Sequence, residues 1–377
     1  MGLNEYLRDL QYLVDTDSGS DDIEGLNKMA EFFAERFKSL GWGVRRINLS
    51  PNTGDVVICT NREADHYDLM LVGHFDTVFA HGQCAEHPFR IEGDRVYGLG
   101  SCDMKHGALL IYYLMKELPK EINDKLNIVA VFNPDEETGS KYSRTVYSDY
   151  AKISDLALIY EASGTDGARC VERKGATGFT VNFTGIPGHS GYVFMNGAKS
   201  AISEMARWIV RLDALQSKER NTTVNVGVVS GGTKPNVVAE HASMRVGIRY
   251  SIPGEADRVE ETLAELTKEA SERGIKVEIT AKTKKEPLVP TEEGRSYFAH
   301  LGELLEKNGI PCIFRARGGL SDANVIGALG PICIDGMGPS GDFCHSVEEC
   351  MDIDSVIPAF NYSNIIFSDI AERKIKK

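Results

Sequence analysis

No apolar run in the chain approaches the roughly 20 residues that a membrane span requires, so none is expected. The opening residues, Met1-Gly-Leu-Asn-Glu-Tyr6, offer neither a basic segment nor an apolar one, and no signal peptide is expected. There is no Cys-x-x-Cys pair. Eight cysteines scattered over 377 residues read as reduced thiols of a cytoplasmic protein, not as a disulfide framework. Basic residues are in deficit, 42 Lys and Arg against 55 Asp and Glu. The resulting net charge of -13 argues against nucleic acid or an anionic membrane as partner. Asn221-Thr-Thr fits the glycosylation pattern but carries no weight without secretion. Internal repeats and low-complexity segments are also missing. The remainder is ordinary for a globular protein, 42% apolar and 26% charged, and the length favours two domains over one small core.

One stretch organises the chain: Asp68-Leu-Met-Leu-Val-Gly-His-Phe-Asp-Thr-Val78. Residues 69–72 are apolar without a polar break, which predicts a strand buried on both faces. His74 and Asp76 come next, at its C-terminal end. Side chains two apart on an extended chain share a side, so Asp76 can bond one ring nitrogen of His74 and leave the other for a metal. The plainer alternative is a surface histidine and a turn aspartate.

Apolar spacing predicts helices over 3–14 and 23–40, then strands over 44–49 and 55–60. Residues 79–95 read as a loop. Glycines 98, 100 and 107 allow tight backbone around Asp103. A helix over 108–118 is followed by a strand over 127–133, which delivers Glu136 and Glu137. A strand over 156–160 delivers Glu161. Strands alternating with helices predict a largely parallel sheet, and open α/β sheets place their sites at the carboxyl edge. From about Lys174 the pattern becomes strand 177–184, helix 198–215, strands 222–230 and 241–251, helix 255–273 and strand 276–280. That order predicts a ferredoxin-like α+β layer inserted in the α/β fold. A helix over 297–307, a short strand over 332–336, a loop over 339–345 and a helix over 356–370 complete the chain.

His74, Asp103, Glu137, Glu161 and His345 are thus five candidate ligands on loops. If one carboxylate bridges, they suffice for two divalent ions, which polarise a carbonyl and bring the pKa of a water near 7. Mixed histidine and carboxylate ligation suits zinc, with cobalt or manganese as alternatives. Glu136, adjacent to Glu137, is placed to accept a proton.

Gly-His-Phe-Asp-Thr-Val78, Gly-Ser-Cys-Asp-Met-Lys105, Asp-Glu-Glu-Thr-Gly-Ser140, Tyr-Glu-Ala162, Gly-His-Ser-Gly191 and Cys-His-Ser346 stand in order along the chain. This ordered set resembles the metallopeptidase clan of glutamate carboxypeptidases, acetylornithine deacetylases, succinyl-diaminopimelate desuccinylases and aminoacylases. The resemblance covers nearly the whole chain, including Ser18-Gly-Ser20 and Asp21-Asp-Ile-Glu-Gly25, and is closest in look to glutamate carboxypeptidase. It implies His74 and Glu161 on one zinc, Glu137 and His345 on the other, Asp103 bridging, Asp76 orienting His74, and Glu136 as general base and later acid. It implies a cis peptide at Asp103–Met104. It implies a catalytic domain over 1–174 and 288–377, with a lid and dimerisation domain over 175–287 that makes a homodimer. His189 is implied in oxyanion contact, often in the partner's site, and Asn236 and Arg249 near the substrate carboxylate. Gly318-Gly-Leu-Ser-Asp-Ala323 matches a glycine-rich substrate loop, centred on Gly319, whose amides suit an anion.

The implied activity is hydrolysis of an amide or peptide bond next to a free carboxylate, in a small peptide or N-acyl amino acid. An N-acyl amino-acid deacylase or a dipeptidase would use the same machinery. A non-catalytic metal scaffold would not need Glu136, and a two-domain binding protein would not need five ligands. Some residues depart from the family pattern. His106 replaces a usual glycine, and Glu286 stands before Pro287 where carboxylate-reading relatives often carry arginine. Cys102 and Cys344 flank two ligands and would be soft donors. His81, His87 and His241 read as solvated or structural, and Arg169, Arg173 and Lys174 as a solvated basic turn rather than a carboxylate reader.

Overall fold

The computed structural model describes residues 1–373, and the chain divides into two compact units. The first takes residues 1–172, 290–317 and those from 321 onward; the second takes 173–289 with 318–320.

A six-stranded sheet forms the centre of the first unit. Its order is Gly43–Ile47, Val56–Thr60, Ile128–Asn133, Tyr67–His74, Ser154–Ile159, Ile332–Ile334. The last four run parallel, and the first two are added antiparallel at one edge. Tyr67–His74, Ile128–Asn133 and Ser154–Ile159 are buried along their whole lengths, as the unbroken apolar runs require. Helices Leu3–Val14, Ile23–Ser39, Lys105–Lys116 and Val356–Arg373 contribute Leu10, Phe33, Leu109 and Ile366 to the same core. Phe33 stacks on Phe132 with ring centroids 4.4 Å apart.

The Lys105–Lys116 helix is buried almost throughout, which requires partners for its polar residues. Lys105 Nζ donates to the Leu13 and Thr16 carbonyls at 2.9 Å each, at the C-terminal end of the first helix. At Gly107 a Cβ would lie 1.8 Å from the Tyr160 carbonyl. Only glycine lets this helix approach the strand end that carries Glu161.

The expected loop over 79–95 is more structured than its sequence suggests. It holds a short helix, Gln83–Glu86, and the hairpin Arg90–Glu92 and Arg95–Tyr97, turned at Gly93 with φ of 64°. The hairpin joins Cys350–Asp352 and Gly341–Asp342 in a second, four-stranded sheet. Strands of three residues are too short to show an alternation. This small sheet matters because it lays the chain that carries His345 beside the chain that carries Asp103. Helices Lys120–Lys125, Arg144–Ala151 and Asp322–Gly327 are also present and were not expected.

In the second unit, strands Thr223–Gly231, His241–Tyr250, Gly175–Thr184 and Lys276–Lys285 form an antiparallel sheet in that order. Gly175–Thr184 alternates buried and half-buried residues, as one covered face demands. The helices Ala201–Asp213 and Glu255–Glu272 supply the cover, with Trp208 edge-on to Phe183. Chain order βαββαβ with this strand order is the ferredoxin-like layer. The last strand runs five residues past the expected end at Thr280.

Arg169 and Arg173 do not form a solvated turn. Both are buried. The Arg169 guanidinium lies over the Tyr362 ring at 4.5 Å and donates to the Gly336 carbonyl at 2.9 Å, partners remote in sequence that compensate its charge.

Candidate metal centre

His74 stands at the end of its strand with both ring nitrogens engaged. Nδ1 lies 3.3 Å from Asp76 Oδ1, and Nε2 lies 3.1 Å from Asp103 Oδ1 and 3.5 Å from Glu161 Oε1. The other oxygen of Asp103 lies 3.2 Å from His345 Nε2, which is also 3.2 Å from Glu137 Oε2. Two groups of donors result, each within 4.8 Å: His74, Asp103 and Glu161, and Asp103, Glu137 and His345. Asp103 belongs to both. The Asp103–Met104 peptide bond is cis.

Asp76 does more than face His74. It is fully buried, takes the Ser20 hydroxyl at 2.8 Å, and accepts the backbone N–H groups of Glu136 and Glu137 at 3.0 and 3.1 Å. Asp76 therefore fixes the histidine, by its backbone carbonyl 3.1 Å from Nδ1 as well as by its carboxylate, and the carboxylate holds the loop that presents both glutamates. Behind that loop, buried Asp322 accepts hydrogen bonds from Asn133, Ser140 and Tyr147.

The electrostatics favour a cation. Burial and the charge of Asp103 raise the pKa of Glu137 to about 8, and the same two causes raise that of Glu161. Glu137 Oε1 is buried without a hydrogen-bond partner. Burial would raise Asp103 as well, but hydrogen bonds from His345 and His74 outweigh it and hold the carboxyl below its ordinary value. Its hydrogen bond to Asp103 raises His345 to about 9. Three converging carboxylates, two histidines and an orphaned carboxylate oxygen fit divalent metal, whose binding displaces the protons these groups share.

Glu349, not anticipated from the sequence, belongs to this centre. It is fully buried and accepts three backbone N–H groups, from Gly100 at 2.9 Å, Cys102 at 2.8 Å and Asp103 at 2.7 Å. It thereby ties the Asp103 loop to the strand that comes after His345. The available signal was a second glutamate three residues past the Cys-His-Ser motif. His106 is structural: buried, and held to the Pro339 carbonyl by Nε2 at 3.0 Å, with burial lowering its pKa to about 4. Neither Cys102 nor Cys344 belongs to a donor group. His81 and His241 are exposed. A third group, Asp17, Asp22 and His81, is used locally: Asp22 caps Gly25 and binds His81, and Asp17 accepts the N–H groups of Gly82 and Cys84.

A cavity of about 640 Å³ adjoins Glu137, walled by Thr53, Thr77, Phe79, Thr138 and Tyr142. The expected substrate residues His189, Asn236, Arg249 and Gly319 lie in the second unit, in two places. His189 pairs with Val237, and Ser190 N–H donates to the Asn236 carbonyl at 3.1 Å. Arg249 pairs with Ala176 and Thr223 near the start of Gly175–Thr184. The Gly319 carbonyl accepts from Arg173 at 2.9 Å.

A largely parallel sheet with carboxylates and histidines gathered at one edge has the layout of a metal-dependent amide hydrolase. The sequence pattern of Peptidase family M20/M25/M40 matches residues 70–364, and the chain belongs to that family of metallopeptidases. Carboxypeptidase G2 of Pseudomonas sp. (strain RS-16) is 28% identical over 358 residues, 93% of this chain and 85% of that protein. Among solved structures, the aminopeptidase PepT from Bacillus cereus ATCC 10987 matches with a TM-score of 0.78 at 18% identity, covering 99% of this chain and 100% of that one. The Bacillus subtilis YXEP protein, a dinuclear metal-binding peptidase from the M20 family, matches with a TM-score of 0.66 at 14% identity, over 98% of each chain. Both structural likenesses concern the fold.

Replacing Glu349 should act on metal retention before it acts on secondary structure. In Glu349→Ala three N–H groups lose their acceptor, and Glu349→Gln retains one acceptor oxygen of two. Both variants are expected to yield metal to a chelator at least about tenfold more readily, in the range seen when supports of metal ligands are removed. Metal analysis against chelator concentration, with circular dichroism as control, measures this. Unchanged metal retention in both folded variants would remove Glu349 from the centre.

Proposed function

We propose that the protein is a two-zinc exopeptidase of the glutamate-carboxypeptidase type, cleaving an amide bond next to a free carboxylate. The observation that carries this reading is the pair of donor groups sharing Asp103, with Glu136 beside them on a loop held by Asp76. In this reading His74 and Glu161 would hold one ion and Glu137 and His345 the other, with Asp103 shared between the two donor groups. When bound, the ions supply Lewis acidity toward the scissile carbonyl and lower the pKa of a water. Glu136 accepts the proton of the attacking water and delivers it to the departing amine nitrogen. Asp76 keeps the His74 ring oriented throughout. The cavity beside Glu137 has room for the acyl side of a small peptide or N-acyl amino acid. Kinship with a carboxypeptidase across 93% of the chain supports the exopeptidase reading over the deacylase one. Glu286 weighs against a strict preference for glutamate. Eight free thiols support a reducing, cytoplasmic setting.

The second unit is proposed to be a lid and dimerisation domain. Of its two candidate substrate groups, His189 and Asn236 belong to a small two-stranded pairing just past the Thr184 end of the four-stranded sheet, and Arg249 stands near the opposite end of that sheet. Along the strand His241–Tyr250, Arg249 is eight residue steps from His241, which is near the His189 end, or about 26 Å at 3.3 Å per residue. One small substrate does not span that length, so His189 and Asn236 are assigned to the site of a second copy. The sheet edge Lys276–Lys285 is guarded by Lys276, Lys282, Lys284 and Lys285, whereas the edge Thr223–Gly231 exposes Val228 and Val229. The latter is the edge suited to two-fold pairing.

Glu136→Gln is expected to keep fold and metal but slow turnover by at least ~10²-fold, the low end for general acid–base catalysis. The assay is a panel of dipeptides, folyl-glutamates and N-acyl amino acids. Near wild-type turnover would assign the proton transfer to another group, and preference for N-acyl amino acids would favour the deacylase reading.

Mixing two inactive variants, His189→Ala and Glu136→Gln, should restore part of the activity once subunits exchange. One site of the hybrid then contains both an intact base and an intact histidine. Exchange without rescue, or a fully active monomer by light scattering, would contradict service in trans.

A further inference from the structure

Cys102 and Cys344 stand in neither donor group, yet each is the immediate neighbour of a proposed ligand, Asp103 and His345. Their sulfurs are 3.3 Å apart, 242 residues distant in sequence. They differ in every other respect. Cys102 is fully buried, its N–H is held by Glu349 Oε1 at 2.8 Å, and a Cβ on Gly341 would lie 2.6 Å from its sulfur. Its backbone is held by Glu349 and its side chain packs closely against Gly341, so it is the more firmly fixed of the two. Cys344 is exposed, the one cysteine of the eight that is, and sits between two non-glycine residues in the left-handed region, Phe343 with φ of 60° and His345 with φ of 64°. Such conformations persist only while their surroundings hold them.

We infer that Cys102 and Cys344 form a reversible redox modification site, a disulfide that withdraws His345 from the metal centre. The oxidant is a peroxide. The Cys344 sulfur attacks one peroxide oxygen, the O–O bond breaks, and water leaves, with Cys344 as the sulfenic acid. The Cys102 sulfur then attacks the Cys344 sulfur, the S–O bond breaks, and a second water leaves. Two thiols lose two electrons and two hydrogens, and hydrogen peroxide becomes two waters. A dithiol reverses the step by exchange. Bond formation needs the sulfurs to close from 3.3 Å to about 2.05 Å. Because Cys102 is pinned, the displacement falls on Cys344 and the adjoining His345, whose Nε2 stands 3.2 Å from both Asp103 and Glu137. His74 and Glu161 are not on the moving segment.

This coupling rests on the reading of His345 as a ligand, so the metal content of the untreated full-length holoprotein is measured first; failure of that reading shows there, independently of the disulfide. The holoprotein is then treated with hydrogen peroxide. Expected are a Cys102–Cys344 cross-linked peptide, loss of two hydrogen masses, two fewer free thiols, and loss of one metal ion per chain with at least about tenfold lower activity. Dithiothreitol with added metal restores both. Cys344→Ser and, separately, Cys102→Ser should form no cross-link and keep their metal under the same treatment. Oxidation of Cys344 to the sulfinic or sulfonic acid without a cross-link would overturn the site. A cross-link that leaves metal content and activity unchanged would overturn its coupling to His345.

Discussion

Three carboxylates, Asp103, Glu137 and Glu161, are forced together beside two histidines at the edge of a buried sheet, and the architecture of the first unit serves to hold them there. Burial and the charge of Asp103 push the Glu137 and Glu161 pKa values upward, a cost of ionisation that a bound cation would relieve. The candidate ligands come from a strand end and from separate loops, and two of those loops are anchored by buried hydrogen bonds. Asp76 grips the Glu136–Glu137 backbone, Glu349 grips residues 100–103, and Asp322 braces the turn behind both glutamates. These anchors are carboxylates whose oxygens are taken up by N–H and O–H donors, which leaves the donor groups themselves free for metal. The site is built on this division of labour between carboxylates that bind backbone and carboxylates that converge in the candidate donor groups.

Much of this was legible in the chain. His74, Glu136, Glu137 and Glu161 come after apolar runs long enough to announce buried strands, and a buried parallel sheet gathers the residues just past its strand ends at one edge. The βαββαβ order of the second unit was legible because its helices are amphipathic and its strands alternate. The features that escaped lack a period or depend on distant partners. The strands Arg90–Glu92, Arg95–Tyr97 and Cys350–Asp352 are three residues each, too short to alternate, yet they align the Asp103 and His345 loops. Glu349 sits beside exposed Glu348 and looks like surface charge until three N–H groups converge on it. Arg169 reads as part of a basic turn because Tyr362, which covers it, lies far along the chain.

The second unit shows how position along a strand constrains function. His189 pairs with Val237 just past the Thr184 end of the four-stranded sheet and Arg249 stands near its other end, which is the ground on which the proposal assigns His189 and Asn236 to the site of a second copy. The lysine-guarded and unguarded edges of the same sheet then indicate where a second copy would pair. Specificity in this reading depends on residues outside the donor groups, which explains why motifs shared by peptidases and deacylases do not separate them. Glu286 and the walls of the cavity beside Glu137 are where that separation has to be sought.

The central claim is that five side chains bind two ions through a shared aspartate. Diffraction from crystals of the zinc-saturated protein, recorded on both sides of the zinc absorption edge, tests it directly. The account predicts two anomalous peaks about 3.5–4 Å apart. One peak should be within about 2.0–2.2 Å of His74 and Glu161 and the other within the same range of Glu137 and His345, with Asp103 contributing one oxygen to each. A single fully occupied peak at saturating zinc, with one donor group unligated, would contradict it.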